Sequence, residues 1–144
     1  MLQPGDTVGT SDYTEITQDM VTTFANVTGD TQWIHVDPER AKTDLPGGKT
    51  LAHGLMVLGF FPTWLRAMKP QLPLPRPKRT LNYGYNKVRF SSPIQTGSLV
   101  RATVKLLAIE PKGTGNNIIF EFIVTKEGDD KPVVIAEFIT HWAN

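Results

Sequence analysis

The sequence predicts an α+β fold in which a long antiparallel sheet curls around an apolar helix. Three observations predict it. Hydrophobic residues recur at helical spacing before the proline-rich stretch at residues 70–79 and with a period of two from Thr80 onward. The run AHGLMVLGFFPTWLRAM has hardly any polar face, which marks a buried helix. Four long alternating segments follow it, and a helix placed ahead of consecutive strands packs most simply on the concave face of their sheet.

After a short extended entry, Thr17 is placed to cap a helix over QDMVTTFANVTG, with Asp19 in its first turn and Met20, Val21, Phe24 and Ala25 at helical spacing. Gly29 suits a left-handed ending. Asp37 and Pro38 suit the cap and first position of a short helix over DPERAKT, which leaves His35 in a loop between two helix ends. LPGGKT then makes a turn before the apolar helix, and Pro62 is expected to bend or interrupt that helix. PQLPLPRPKR, with its prolines and three basic residues, reads as an extended connector. TLNYGYNKVRF, SLVRATVKLLAIEP, NNIIFEFIVTK and PVVIAEFITHWA are the four strands, and EGDDK closes the last hairpin. A sheet curled around a helix in this way is the hot-dog architecture. Its open edge strands make pairing with a second copy the natural closure, so at least a dimer is expected.

The 144 residues suit one domain spanning 1–144, and no internal repeat is visible. Fifteen Lys and Arg against 14 Asp and Glu leave a net charge of +1, so no bulk field steers nucleic acid or an anionic membrane to this chain. The absence of cysteine excludes disulfides, a thiol nucleophile and thiolate metal sites. The N-terminus lacks a basic segment followed by an apolar run, and no stretch is long enough to span a bilayer, so a soluble cytoplasmic protein is expected.

The stretch VTGDTQWIHVDPERA carries the chemistry, because it brings Asp30 and His35 close together in sequence. A carboxylate and an imidazole that meet one water from two sides can divide a proton transfer between them. An imidazole changes charge near neutral pH, so either protonation state is accessible to it. That arrangement suits adding water across an activated double bond, with either residue as the base. The negative charge that develops on the conjugated carbonyl needs preorganised donors. Gly54 is the best candidate, because its N–H lies in the first turn of the apolar helix and no side chain blocks an approaching acyl carbonyl. Leu55 and Met56 begin a helix wall suited to a fatty tail. Plainer readings compete: Gly-Asp is common turn chemistry, His35 can be a satisfied buried histidine, and Gly54 can be a packing glycine. His53 and His141 lack evident acidic companions and read as structural, and three scattered histidines make no metal cluster.

FANVTGDTQWIHVDPERA followed by LAHGLMVLGFF resembles the MaoC-like dehydratases, also called hydratase-2 or R-specific enoyl-CoA hydratases. NYGYNKVRFSSPIQTGSLVRATVKL is similar to the strand pair of their NodN-like branch, so the resemblance runs from about Thr17 to the C-terminus. It implies a hot-dog homodimer that adds water to trans-2-enoyl-CoA to give (3R)-hydroxyacyl-CoA. No metal and no cofactor are implied beyond the coenzyme A of the substrate. By position it places the catalytic pair on Asp30 and His35 and the thioester-binding amide on Gly54. Gln32-Trp33 stands where many members carry Asn-Pro, which makes both residues candidate substrate contacts; Gln32 either orients the water or satisfies loop backbone.

Asn82, Tyr83 and Asn86 are polar for a strand core, and lie either at the pocket mouth or on a solvent-facing edge. Arg76, Lys78 and Arg79 either meet coenzyme A phosphates or are solvated. Two rivals share this fold. A thioesterase would carry a carboxylate on or beside the apolar helix, where LMVLGFFPTWL has none; a non-catalytic acyl-binding protein would need the apolar tunnel but not the Asp–His pair.

Overall fold

Caps decide where the helices begin and end. The computed structural model describes residues 1–144, and in it the Thr17 hydroxyl accepts the Met20 N–H at 3.2 Å to start helix α1 (Gln18–Thr28). Gly29 closes α1 in the left-handed region at φ 82°, where a Cβ would strain. Asp37 caps α3 (Pro38–Asp44), its Oδ1 accepting the Arg40 N–H at 3.0 Å. Between them the expected loop is a single helical turn, α2 (Trp33–Val36), so His35 lies on a short helix. Gln18 holds that turn by donating from its side chain to the His35 carbonyl at 2.8 Å.

The apolar run forms two helices, α4 (Gly54–Leu58) and α5 (Phe61–Met68). The break falls at Gly59 and Phe60, just ahead of Pro62, where both N–H groups reach back only three residues, to Met56 and Val57, at 3.0 Å each. Pro62 itself sits in the first turn of α5, where its missing N–H is no loss. Nor is the run buried all round. Met56, Val57, Phe61, Trp64 and Leu65 face inward, whereas Leu55 is 62% exposed, because the sheet covers one side of the helices only.

All four long strands form where the period of two placed them, as β3 (Arg79–Phe90), β4 (Leu99–Lys112), β5 (Gly115–Lys126) and β6 (Pro132–Ala143). The extended entry adds two short strands, β1 (Thr7–Thr10) and β2 (Thr14–Glu15), both paired with β4. The sheet is antiparallel, in the order β1-β4-β5-β6-β3. Val100, Ala102, Val104 and Leu106 of β4, with Ile118, Phe120, Phe122 and Val124 of β5, are fully buried, as alternation requires of a concave face. Phe61 of α5 stacks on Phe122 at 4.1 Å between ring centres, and Phe138 of β6 meets Phe122 edge-on. This is the hot-dog arrangement.

Two features bear on partners. Of the connector expected at residues 70–79, residues 70–78 form neither helix nor strand and Arg79 already belongs to β3; Leu72, which is buried, anchors the segment. Strand β3 pairs only with β6, so its other edge is open, and Leu81, Tyr83, Tyr85 and Phe90 along it are exposed.

Candidate active site

His35 is oriented by two backbone links between α2 and the segment that leads into α4. Leu51 N–H donates to the Ile34 carbonyl at 2.9 Å, and the His35 ring donates from Nδ1 to the Leu51 carbonyl at 2.6 Å. A carbonyl can only accept, so Nδ1 carries a proton, and Nε2 is the nitrogen left to act as an acceptor whenever the ring is uncharged. Beneath α2, the Thr50 hydroxyl donates to the Gln18 side-chain oxygen and also meets the Thr96 hydroxyl. The polar groups that support His35 from below are thus partnered.

Asp30 follows the left-handed Gly29, and its side chain is 54% exposed. Its carboxylate and the His35 ring converge: each of Asp30, His35 and His53 offers one ligand-type atom within 4.8 Å of the others. One water bonded at ~2.8 Å to two groups in tetrahedral geometry separates them by about 4.6 Å, a separation that falls inside that limit. Neighbouring ligands of a tetrahedral zinc lie roughly 3.3 Å apart. His35 and His53 are stacked at 3.7 Å with planes 22° apart, so the in-plane nitrogen lone pairs of the two rings lie in separate, nearly parallel planes and do not meet at one centre. Any metal here would need the rings to separate first.

His53 corrects the sequence reading, which found it no acidic companion and took the histidines as scattered. It is buried, donates from Nε2 to the Asp30 carbonyl at 2.9 Å, and lies 3.9 Å from the Asp30 carboxylate. Its place directly before Gly54 was the one signal that could have singled it out. His141 is distant from this group and bonds through Nδ1 to the Asn117 side chain at 2.8 Å.

Gly54 opens α4, and its N–H has no backbone acceptor. A Cβ there would lie 2.6 Å from the Phe90 ring. Gly54, His35 and Phe90 line one cavity of about 320 Å³, with Leu51, Ile94 and Val134 among its apolar walls. The other proposed contacts are dispersed. Met56 is buried in the core, and Leu55 is exposed and lines neither this cavity nor the larger one. Gln32 is exposed at the start of α2, and Trp33 lies under the Arg40 guanidinium at 3.9 Å. Asn82 and Tyr83 lie on the exposed edge strand; Asn82 lines a separate cavity of about 740 Å³ between α5, the connector and β6. Arg76 joins that cavity with Arg66 and Lys69, and none of these three makes an ion pair.

Residues 2–127 match the MaoC like domain family. The chain is 45% identical over 139 residues to 3-hydroxyacyl-thioester dehydratase Z of Mycobacterium tuberculosis, an alignment covering 96% of this chain and 89% of that protein. It is 34% identical over 137 residues to nodulation protein N of Rhizobium leguminosarum bv. viciae, covering 94% and 84% respectively. Among solved structures, R-hydratase PhaJ1 from Pseudomonas aeruginosa superposes with a TM-score of 0.75 at 24% identity, over 99% of this chain and 83% of that one. The (R)-hydratase from A. caviae gives 0.74 at 22% identity, over 96% of each chain. These two structures share the fold.

Proposed function

Because the chain belongs to the MaoC-like domain family, we propose that it adds water to trans-2-enoyl thioesters with (3R) stereochemistry, or reverses that reaction, through Asp30 and His35. Family membership makes it a hydro-lyase, a dehydratase or hydratase of acyl thioesters. The observation that carries the finer reading is the convergence of the Asp30 carboxylate with the His35 ring, which shares a cavity with the bare N–H of Gly54.

In this reading Asp30 and His35 hold one water between them. Its oxygen bonds to C3 of the enoyl group as one of its protons passes to the pair, His35 accepting through Nε2. Electrons shift onto the thioester oxygen, where the Gly54 N–H and the start of α4 stabilise the charge. The pair then returns a proton to C2, the second water proton stays on the new hydroxyl, and no net proton is consumed. No cofactor is required beyond the coenzyme A or carrier group of the substrate.

The single chain is read as one domain, and its working form as a homodimer joined along the open edge of β3, where four large apolar side chains are exposed. No helix is long and apolar enough to cross a membrane.

Loss of conjugated absorbance on incubation with crotonyl-CoA and octenoyl-CoA, with chiral analysis of the product, tests the reaction. Asp30→Ala is expected to lower turnover by about 10²–10⁴-fold, the scale of general acid–base catalysis. Its thermal midpoint should stay near that of the parent, because the carboxylate is half exposed and accepts no hydrogen bond within 3.5 Å. Unchanged turnover removes Asp30 from the mechanism; binding of acyl-CoA without turnover by the parent protein indicates a non-catalytic container.

A further inference from the structure

His53 touches every part of the water site. Its ring is packed between His35, stacked at 3.7 Å, and Phe24 of α1, at 4.8 Å and tilted by 55°. Its Nε2–H donates to the Asp30 carbonyl at 2.9 Å. It is also the residue from which α4 starts, so its backbone sets where the Gly54 N–H lies. Its second ring nitrogen, Nδ1, is buried with no hydrogen-bond partner.

Packing alone does not account for a histidine in this place. An unpartnered buried acceptor costs about 1–3 kcal/mol, and a phenylalanine would present a similar flat face without that cost. What phenylalanine lacks is the N–H to the Asp30 carbonyl. The Asp30 carboxylate has no side-chain hydrogen bond of its own, and its backbone is otherwise tied only by a 3.3 Å bond from its N–H to the Thr28 hydroxyl. The turn is closed locally by Gly29 N–H to the Ala25 carbonyl and Thr31 N–H to the Gly29 carbonyl, and the bond from His53 is the one that ties Asp30 to the segment leading into α4. His35 has a complementary need. The Leu51 bond fixes the direction of Nδ1 but allows the ring to roll about it, and a parallel ring at 3.7 Å stops the roll.

We propose that His53 is a positioning residue that holds the Asp30 carboxylate and the His35 imidazole at the separation one water can bridge. This rests on the reading in which those two residues share the water. Stacked rings present their faces to each other, so His53 passes no proton to His35 and acts through geometry.

Two substitutions divide its contacts. His53→Phe keeps the flat face and removes both nitrogens; His53→Gln keeps an N–H near the Nε2 position and removes the face. Each is expected to lower kcat with crotonyl-CoA by roughly 10- to 100-fold, the scale of a misplacement near 1 Å. KM should stay within about twofold, because His53 lines no part of the substrate cavity. The thermal midpoint of His53→Phe should equal or exceed the parent's. A readout independent of catalysis is the His35 Nδ1–H proton resonance, protected by its Leu51 bond; it should persist in His53→Phe and broaden by exchange in His53→Gln.

Parent-like kcat in both variants overturns the proposal, as does a rise in KM that matches the fall in kcat. A His35 resonance equally sharp in His53→Gln also overturns it. If His53→Phe does not fold, His53→Gln decides alone by the same kcat and resonance criteria. Full activity in Asp30→Ala would remove the shared-water reading, and the resonance would still decide whether His53 orients His35.

Discussion

Adding one methyl group at Gly54 tests the proposed thioester site, because its structural and chemical costs differ widely. The new Cβ would lie 2.6 Å from two carbons of the Phe90 ring and 2.8 Å from a third, against about 3.4 Å for ordinary contact, so the ring must retreat by several tenths of an ångström or more. Phe90 can do this. It is 49% exposed at the end of an edge strand, and forcing its side chain off its preferred rotamer costs about 0.5–1.5 kcal/mol. Alanine offsets some of that cost, being favoured over glycine in a helix by up to ~1 kcal/mol. The net change is within ~1 kcal/mol, a shift of roughly 2–4 °C at most for a chain of this length. The chemical cost is larger, since the methyl group and the displaced ring both intrude on the cavity in which a thioester oxygen would meet the Gly54 N–H. Loss of one such donor lowers kcat by about 10²–10³-fold. Gly54→Ala should therefore melt close to the parent yet lose at least about 100-fold in hydration of crotonyl-CoA. Phe90→Ala leaves the amide bare and should keep turnover within roughly tenfold of the parent, which separates ring displacement from blockage of the amide. Near-parent turnover in a folded Gly54→Ala protein would refute the role assigned to this amide.

The remaining predictions concern folding and assembly. Gly115→Ala should destabilise far more than Gly54→Ala, by about 1–3 kcal/mol or more, because its Cβ would collide with the Trp142 carbonyl, a backbone atom that cannot swing aside; a thermal midpoint equal to the parent's would contradict this. Burial pushes the Tyr85 phenol above its ordinary value of 10.0, so the unfolded chain loses that proton first and stability falls as pH rises from there through the folded value. Tyr85→Phe should lessen this alkaline loss in denaturant titrations, and an unchanged pH dependence would assign it elsewhere. Tyr83→Lys places a charge at the exposed edge of β3 and should shift sedimentation from two chains toward one; a parent protein that sediments as a single chain at micromolar concentration would refute the edge-paired dimer.

Short-range rules made most of the fold legible. The Thr17 cap, the Gly29 closure and the Asp37-Pro38 start depend on atoms within four residues, and each lies where its residue type indicates. The alternation of β4 and β5 had one solution for which side chains turn inward. Pro62 signalled an interruption, but the break settled just before it, because its ring is harmless in the first turn of a new helix and Gly59 with Phe60 could tighten into three-residue hydrogen bonds. The even apolarity of that run suggested burial on nearly every side. Leu55 is nonetheless exposed, since composition counts apolar residues without saying how many sides of a helix the sheet will cover.

For the candidate site, the sequence by itself determined the residue types and their local settings: an aspartate after a left-handed glycine, a histidine ahead of a capped helix, and a glycine opening an apolar one. Only the tertiary structure decided that His53 would stack on His35 and tie down the Asp30 backbone, that Phe90 would cover Gly54, and that Asn82 would line a different cavity. These are contacts between segments tens of residues apart in places. They depend on how far α2 is drawn toward Leu51 and on how the sheet curls, and no local spacing encodes either distance.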